Sequence, residues 1–537
     1  MNLSKIYFIK MNWCSQSSAY KQCFGHYILN SIKKIITAKG NLWPEALNSL
    51  KMTLGFEKNI APEIANKINN LINELTPTDL KNQLFLKISK PEWDSYEKDD
   101  KGSYIDKVKI NAEDFAKKLV LKNAPWTDNI SELLQGEQRQ AFNFGFKIGE
   151  LSINIKDIIE NAIVSIKTIP KEKQNPELIA GLIAGTKDKD LADKVIDSFI
   201  KDPDLYHYAF YLTRIFNSNY KGIQKLFVLI NKPGFSISNF KQFQYGRALD
   251  NLSNDEVLQL CQKISKYGKE GRWVSLSLLY MFCYQNEQKW EQNIEFIKDL
   301  IDSDNMLIKN ENSYRIESFH WSDSCEKILS NNNEVNFSVT VAKQIIEFCS
   351  QVNFNYSIES NLLGILKILF EKYFDMTWTY FGKALISDYT TFFHLKNLIG
   401  TKNGYFGNVE GLMFNSPEHY AVILEWCSQN PDKAPQRIAN IIPLGISENY
   451  YAVWHPFSKK FIDEFGDDKV VLDQLTANMG TFGTVGSRVP YFTAQKQLLM
   501  ALSAHHFESV RKWANGMLEY TEKEIRKEKL ENEEDYM

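Results

Sequence analysis

Apolar residues recur at helical spacing along most of this chain, and short polar turns separate the apolar segments. Clear examples are Ile64, Ile68, Leu71 and Ile72; Ile179, Leu182 and Ile183; Leu191, Val195 and Phe199; Ile223, Phe227 and Ile230; and Val257, Leu260, Cys261 and Ile264. Residues three or four positions apart lie on one face of a helix. Each segment therefore predicts an amphipathic α-helix with one buried face.

Helix-start signals stand before many of these segments. A polar N-cap residue followed by proline occurs at Asn175-Pro176, Asp202-Pro203, Ser416-Pro417 and Asn430-Pro431. Proline loses no hydrogen bond at the first helical position, because the N–H there has no partner within the helix. Ser253 with Glu256, and Asp323 with Glu326, have the spacing of capping boxes. On that reading Cys325 would fall in the first turn of its helix.

The spacing of the helices predicts a repeat protein. Between Asn175 and Asp302 a helix begins roughly every twenty residues, so two helices form a unit of roughly forty, the size of a HEAT or armadillo repeat. Confident strands are scarce, because no Asn-Gly or Asp-Gly joins two alternating segments. The sequence therefore predicts an all-α fold, a HEAT- or armadillo-like α-solenoid of stacked helical hairpins.

A chain of 537 residues is too long for one compact core. We expect an irregular, mostly helical N-terminal region at 1–125, HEAT-like helical repeats at 126–310, and further repeats at 311–537 that end in an acidic capping helix. The sequence leaves open whether translation starts at Met1 or Met11. Because a solenoid needs a polar cap at each end and only the C-terminal one is evident, the chain could be part of a longer ancestral protein.

The last helix has an apolar stripe formed by Val510, Ala514, Met517 and Ile525. Glutamates lie four residues before basic residues at Glu519/Lys523 and Glu522/Arg526, the favourable order for helical ion pairs. Beyond Leu530 we expect the helix to fray. These features predict the end cap of a helical stack.

Composition narrows the function classes. The 63 basic and 66 acidic residues give a formal charge of −3, which provides no general field for nucleic acid or anionic membranes. The 7 cysteines include no CxxC pair, which is typical of reduced thiols in a cytoplasmic protein. No apolar run is long enough for a membrane span, and the one at Ile6–Ile9 is too short for a secretory signal.

Several groups invite a chemical interpretation. The glycine loop from Gly480 to Arg488 could cradle a phosphate, but it lacks the Gly-Lys-Ser/Thr of a Walker motif. His320, Asp323 and Cys325 could supply a cysteine nucleophile, although capping already accounts for these residue types.

Three further groups also favour a structural role. His505 and His506 are adjacent, but no other Cys or His is near enough in sequence to complete a metal site. Asp94, Asp99 and Asp100 do not match a calcium loop. The aromatic run Tyr206, Tyr208, Phe210 and Tyr211 could stack bases, but only Arg214 is a nearby cation, so packing is favoured. The sequence assigns no catalytic, cofactor-binding or metal-binding residue.

The C-terminal block at 454–537 resembles a known family. The residues that carry the resemblance are Trp454-x-Pro456, Phe465-Gly466-Asp467, Val471-Leu472, Gly486-Ser487, Tyr491, Leu498, Leu499, Leu502 and Val510-Arg511-x-Trp513-Ala514. They are similar to the C-terminal HEAT-like repeats of large bacterial antiphage defence proteins, including NTPases of the STAND type. No Walker, nuclease or deacylase motif is present, so the family's enzymatic activities do not carry over.

The resemblance implies the scaffold or sensor part of such a protein, without a cofactor, in the bacterial cytoplasm. The function predicted is a non-catalytic solenoid that binds protein partners. Two alternatives stay open: a solenoid that binds nucleic acid, with lysine pairs such as Lys117-Lys118 and Lys459-Lys460 converging in space, and an enzyme with its site in the N-terminal region or in the loops at Cys325 and Gly483.

Overall fold

A computed structural model describes residues 47, 50, 51, 54, 60, 62–91, 96–98, 102–216, 218–303, 305–308, 314–331, 333–351, 359–401, 411–448, 451–481 and 486–534. Within these ranges 24 α-helices pack in successive pairs, so the predicted all-α solenoid class is confirmed. The chain divides into two compact units, Met1–Phe243 and Gln244–Met537. This boundary lies inside the segment 126–310, and the three-part organisation expected from the sequence stays a prediction.

The described part of the first unit contains ten α-helices. They are α1 (Pro62–Leu75), α2 (Leu80–Leu84), α3 (Lys107–Leu121), α4 (Ile130–Leu133), α5 (Ala141–Leu151), α6 (Ile155–Lys167), α7 (Glu177–Thr186), α8 (Lys189–Lys201), α9 (Ala209–Phe216) and α10 (Tyr220–Lys225). Short 3₁₀ helices cover Trp126–Asn129, Lys171–Lys173, Tyr206–Tyr208, Leu226–Asn231 and Ile237–Gln244, and a π-helix covers Phe85–Ser89. Strand β1 (Tyr96–Lys98) pairs antiparallel with β2 (Tyr104–Asp106).

Helices α5 and α7 touch backbone to backbone. Each has two glycines four residues apart, Gly145 and Gly149 on α5 and Gly181 and Gly185 on α7. A Cβ atom at Gly149 would lie 2.2 Å from the carbonyl oxygen of Leu182, and one at Gly185 would lie 2.1 Å from that of Phe146. Gly181 meets Phe142 in the same way, so the two helices run parallel. Only residues without a side chain permit this approach.

The described part of the second unit contains fourteen α-helices. They are α11 (Asn254–Ser265), α12 (Gly268–Cys283), α13 (Glu287–Asp302), α14 (Tyr314–Asn331), α15 (Val335–Cys349), α16 (Glu359–Lys372), α17 (Phe374–Leu385), α18 (Tyr389–Ile399), α19 (Glu418–Gln429), α20 (Ala434–Ala439), α21 (Pro456–Phe465), α22 (Lys469–Met479), α23 (Val489–Met500) and α24 (Glu508–Glu534). A 3₁₀ helix covers Leu412–Phe414.

Side-chain hydrogen bonds join corresponding helices of successive repeats in this unit. Their partners are separated along the chain by a nearly constant interval: 43 residues for His320 with Ser277, Tyr280 with Asp323, Gln344 with Ile301, and Asn361 with Ser318; 45 for His394 with Cys349; 44 for Lys396 with Asn440; 39 for Asn478 with Ala439; and 43 for Ser509 with Gly466. This interval matches the repeat of roughly forty residues expected of HEAT-type units.

These bonds define two layers of helices. One layer contains α12, α14 and α16, and the other contains α13, α15, α18, α20, α22 and α24. Large apolar side chains are fully buried within this unit, including Trp321, Phe370, Phe381 and Phe461. The helical period of the sequence thus places its apolar face in the interior, as predicted.

The helix-start signals have mixed outcomes. The capping box of Ser253 and Glu256 is present at the start of α11. The Asn175 side chain accepts a hydrogen bond from the Glu177 N–H at the start of α7. Asp202, in contrast, follows the last residue of α8, and only turns and a 3₁₀ helix separate it from α9. An Asp-Pro pair is compatible with a turn as well as with a helix start, and tertiary packing determines which of the two forms.

A β-hairpin that the sequence analysis missed precedes α21. Strand β3 (Gly445–Glu448) pairs antiparallel with β4 (Tyr451–Trp454). The residues between the strands are Asn449 and Tyr450, so the glycine that usually marks such a turn is missing. The Trp454 indole N–H donates to the Leu498 carbonyl at 2.8 Å. The hairpin therefore packs on α23.

The last helix, α24, packs against α23 through contacts that differ from those expected, and its role as an end cap stays a prediction. Val510 and Ala514 are buried, as predicted, and the buried face continues through Thr521 and Glu528. Glu522 forms an ion pair with Lys496 of α23 at 2.8 Å. Helix α24 extends to Glu534, and fraying beyond Leu530 stays a prediction.

No helix in the described ranges is both long enough and apolar enough to span a membrane.

Candidate functional site

The capping box expected at Asp323 and Glu326 is wrong. Both residues and Cys325 lie in the middle of α14, which begins at Tyr314. Asp323 instead accepts a hydrogen bond from the Tyr280 hydroxyl at 3.0 Å. Buried side chains in the earlier turns pack α14 against its neighbours, and this burial outweighs the local helix-start signal.

His320, Asp323 and Cys325 do not converge on one point. The His320 ring stacks on Tyr280 with ring centroids 4.3 Å apart, and its Nδ1 lies 3.2 Å from Ser277 Oγ. The Cys325 side chain is fully buried elsewhere in the core. His320 and Asp323 therefore join α14 to α12, and neither is placed to activate the thiol.

The chemistry of Cys325 is consistent with a packing role. Burial, together with the nearby carboxylates of Asp302 and Glu326, raises the pKa of its thiol well above the ordinary value of 9.0. The thiolate is the nucleophilic form of cysteine. A thiol held protonated in the core is therefore a poor nucleophile at neutral pH.

The end of the glycine loop binds a carboxylate of the same chain. The Arg488 backbone N–H donates to Glu528 at 2.9 Å, and its guanidinium approaches the same carboxylate at 2.7 Å. Residues 482–485, including Gly483, lie outside the described residues, as do Asp94, Asp99 and Asp100. The described end of the loop thus anchors the last helix through Glu528.

His505 and His506 meet a third polar residue that is remote in sequence. His505 Nε2 lies 2.9 Å from Asp463 Oδ1, and possible ligand atoms of the three side chains lie within 4.8 Å of one another. His505 Nδ1 accepts the N–H of Phe507 at 3.2 Å, which places the proton of a neutral ring on Nε2. A metal on Nε2 would need that nitrogen deprotonated. The existing hydrogen bonds therefore oppose metal binding by His505.

The aromatic run in the first unit contributes to packing. Phe210 is buried and meets Phe240 edge to face at 5.0 Å between ring centroids. The Tyr208 hydroxyl donates to the Gln174 carbonyl, and the Tyr206 hydroxyl to the Pro233 carbonyl. The Lys232 ammonium lies 4.6 Å from the Tyr206 ring centroid, and the His207 and Tyr208 ring centroids are 3.9 Å apart, so both tyrosine rings already have packed neighbours.

The second unit has an open groove between α19 and α21, which we call the α19–α21 groove. Its volume is about 540 Å³, and its lining residues are Ala421, Leu424, Glu425, Ser428, Lys460, Asp463 and Glu464. The α19 residues follow the spacing of one helix face, and so do the α21 residues. Two neighbouring helices thus present one face each to the same space.

The groove has an excess of negative charge. Its lining includes the carboxylates of Glu425, Asp463 and Glu464 and the single ammonium of Lys460. Among the described residues, no ion pair involves Glu425, Glu464 or Lys460. Asp463 is bonded at one oxygen to His505. The lining also has an apolar part, to which Leu424 contributes a buried side chain.

Sequence reasoning missed this groove for a physical reason. The residues come from two segments about forty positions apart, and only the repeat geometry makes them neighbours. The available signal was local: Ala421, Leu424 and Ser428 are small or apolar residues on the same helix face as Glu425. Such a pattern is also typical of an ordinary solvent-facing helix edge.

Comparisons with known proteins leave the family open. No protein-family model matches the chain, and no curated protein matches it. One solved structure, from work on a phosphorylation switch that controls the interaction between cadherin and beta-catenin, is 10% identical, with 98% of this chain and 99% of that chain covered and a TM-score of 0.26. A circular tandem repeat protein is 9% identical, with 92% and 97% covered and a TM-score of 0.15. Neither likeness supports a conclusion about function.

Proposed function

We propose that the chain is a non-catalytic α-solenoid scaffold or sensor that binds a protein partner through exposed helix faces of its second unit. The observation that carries the proposal is the stack of helices joined at a nearly constant interval, because such a stack presents successive helices as one long surface. Fold class alone does not determine function, so this step needs a direct test.

The contacts and burial of the candidate chemical groups support a binding role. Cys325 is buried with a raised pKa, Arg488 binds Glu528, and His505 is hydrogen bonded at both ring nitrogens. Arg488 and His505 each join one helix or loop to another, and Cys325 is buried in the core. The α19–α21 groove, in contrast, is exposed and unfilled.

We further propose that the scaffold acts in the cytoplasm of a bacterium, in defence against phage. The support is the resemblance of residues 454–537 to the C-terminal repeats of bacterial defence proteins. In this role the partner is a phage protein or a second host protein, and the scaffold reports its presence.

Affinity purification of the tagged full-length chain tests the binding role. The chain is isolated from host cells with and without phage infection, with nuclease treatment to remove partners bridged by nucleic acid. The expected result is a protein that co-purifies, and that binds the purified chain when both are mixed. Plaque counts with and without the gene then test the defence role. Failure of purified candidates to bind would overturn the scaffold proposal.

A further inference from the structure

We propose that the α19–α21 groove docks a basic segment of a protein partner, with arginine or lysine side chains placed between Glu425 on α19 and Asp463 and Glu464 on α21. This inference rests on the proposed binding function and names the chemistry of the partner. Three observations carry it: the space left between the two helices, its unbalanced charge and the apolar part of its lining.

The first observation is that the preceding helix contact is filled while this one is open. Between α17 and α19, Trp378 meets Trp426 edge to face at 5.3 Å, and Phe374 stacks on His419 at 3.7 Å. Gly382 leaves room for the Trp426 ring, because a Cβ there would lie 3.0 Å from it. Aromatic rings thus close this part of the stack.

On the other side of α19, small residues replace the rings. Ala421 and Ser428 face α21 across about 540 Å³. This volume lies within the range of about 300–1,000 Å³ found for ligand pockets. The groove is therefore large enough to receive side chains from another molecule.

The second observation is the charge of the walls. Three carboxylates and one ammonium give a formal charge of −2 when the histidines are neutral. These charged side chains are exposed, so solvent and salt weaken the repulsion between the carboxylates without removing it, and a cation relieves it. Arginine suits the site best, because its planar guanidinium can bind two carboxylates at once.

The third observation is the apolar part of the lining, to which Leu424 contributes a buried side chain and Ala421 an exposed one. Arginine and lysine have an apolar stem and a charged end. A stem lying on Leu424 would bring the charged end to Glu425 or Glu464. A small metal ion or a free phosphate has no apolar stem that could pack on Leu424. Phosphate would also be repelled by the carboxylates.

Fluorescence anisotropy with designed peptides tests the proposal on the full-length chain. The probe is a fluorescein-labelled amphipathic peptide with arginine at every third or fourth position, compared with the same peptide carrying glutamate instead. The arginine peptide should bind, and its affinity should fall as salt increases. The double variant Glu425→Gln/Glu464→Gln should weaken binding by about tenfold or more, the loss expected for about 1.4 kcal/mol.

Two further variants make the test independent of misfolding. Lys460→Gln removes the only cation from the groove and should strengthen binding several-fold, an effect that damage to the fold cannot produce. Asp157→Asn/Glu160→Gln makes the same change in net charge on exposed positions of α6 and should leave binding unchanged.

The outcomes separate this inference from the broader function. Equal binding of both peptides, loss of affinity in the α6 variant as large as in the groove variant, or no gain with Lys460→Gln would overturn the groove assignment. A partner found by affinity purification that binds the Glu425→Gln/Glu464→Gln variant normally would leave the scaffold function intact and overturn only the inference.

Discussion

The two units of this chain are built from the same kind of helix but are held together differently. In the second unit, most side-chain hydrogen bonds between successive repeats span 39–45 residues, as in Gln344 with Ile301 and His394 with Cys349. In the first unit the corresponding bonds span less regular intervals: 28 residues for Lys225 with Asp197, 34 for Tyr208 with Gln174 and 39 for Asn175 with Gly136. There the backbones of α5 and α7 meet directly at four glycines.

The difference shows two ways to stack helices. Polar side chains that reach across a layer tolerate variation in the helix surface, because only donor and acceptor must correspond. Direct backbone contact tolerates no substitution of the glycines at the crossing point, because any added side chain would overlap a carbonyl group. The second unit should therefore lose stability gradually under substitution, and the first unit abruptly at a few positions.

Gly185→Ala should have the largest effect. Its Cβ would lie 2.1 Å from the Phe146 carbonyl oxygen and 2.8 Å from the Glu150 nitrogen, so α5 and α7 must separate. We expect a loss of about 3 kcal/mol in stability of the first unit, at the upper end of overpacking effects. Hydrogen exchange of the full chain measures it: peptides from 107–201 should lose protection, while those from 254–349 keep theirs. Unchanged exchange at 141–186 would contradict the backbone contact.

Gln344→Ala should be the next largest. The Trp321 indole N–H donates to Gln344 Oε1 at 3.1 Å, and the Gln344 amide donates to the Ile301 carbonyl at 2.6 Å. Leaving both buried groups unpaired should cost about 2–3 kcal/mol, measured by urea unfolding. Gln351→Ala is the control, because its bond to the Glu347 carbonyl is exposed. Equal losses of unfolding free energy for the two variants would show that a buried bond between repeats stabilises the fold no more than an exposed local one.

Glu528→Gln should have a smaller effect that depends on pH. Hydrogen bonds from the Arg488 side chain and backbone lower the pKa of Glu528 below its ordinary value of 4.5. A carboxyl with a lowered pKa stabilises the fold above its unfolded pKa, and this contribution is lost as pH falls through the folded pKa. We expect about 1–2 kcal/mol at pH 7 and little difference in strong acid, measured by urea unfolding at stepped pH. A difference independent of pH would contradict the ion pair.

Gly516→Ala should have the smallest effect and the opposite sign. Gly516 lies within α24, and a Cβ added there meets nothing within 4 Å. Alanine should stabilise the helix by about 0.5–1 kcal/mol, because glycine has the greater conformational freedom when unfolded. Thermal unfolding measures this gain. The variant is also the matched control for Gly185→Ala, and destabilisation here would mean that α24 makes further contacts at this position.

Much of the fold could be predicted from local pattern. The buried faces of α7, α8 and α11 agree with the apolar spacing, and the box of Ser253 and Glu256 begins α11 as expected. Asp323 and Glu326 have the same spacing but lie inside α14. A capping signal is a weak preference of about 1 kcal/mol, and the burial of a few large side chains exceeds it.

The candidate site could not be predicted in the same way. The α19–α21 groove depends on which helix follows which in the stack, and Asp463 approaches His505 from 42 residues away. Likewise, the spacing of Gly181 and Gly185 is visible in the sequence, but nothing local shows that it faces Gly145 and Gly149. A residue's own neighbours in sequence determine its helix face, whereas its partners across a layer depend on the order of stacking.

For this protein, the sequence alone determined the helical class, the repeat of about forty residues and most buried faces. These features follow from the short-range spacing of apolar residues, which is regular along each helix. Only the tertiary structure decided the parallel glycine contact of α5 and α7, the role of Arg488 as the anchor of Glu528, and the acidic groove between α19 and α21. These features require residues distant in sequence to meet, and the free energy of packing, rather than local preference, selects the partners.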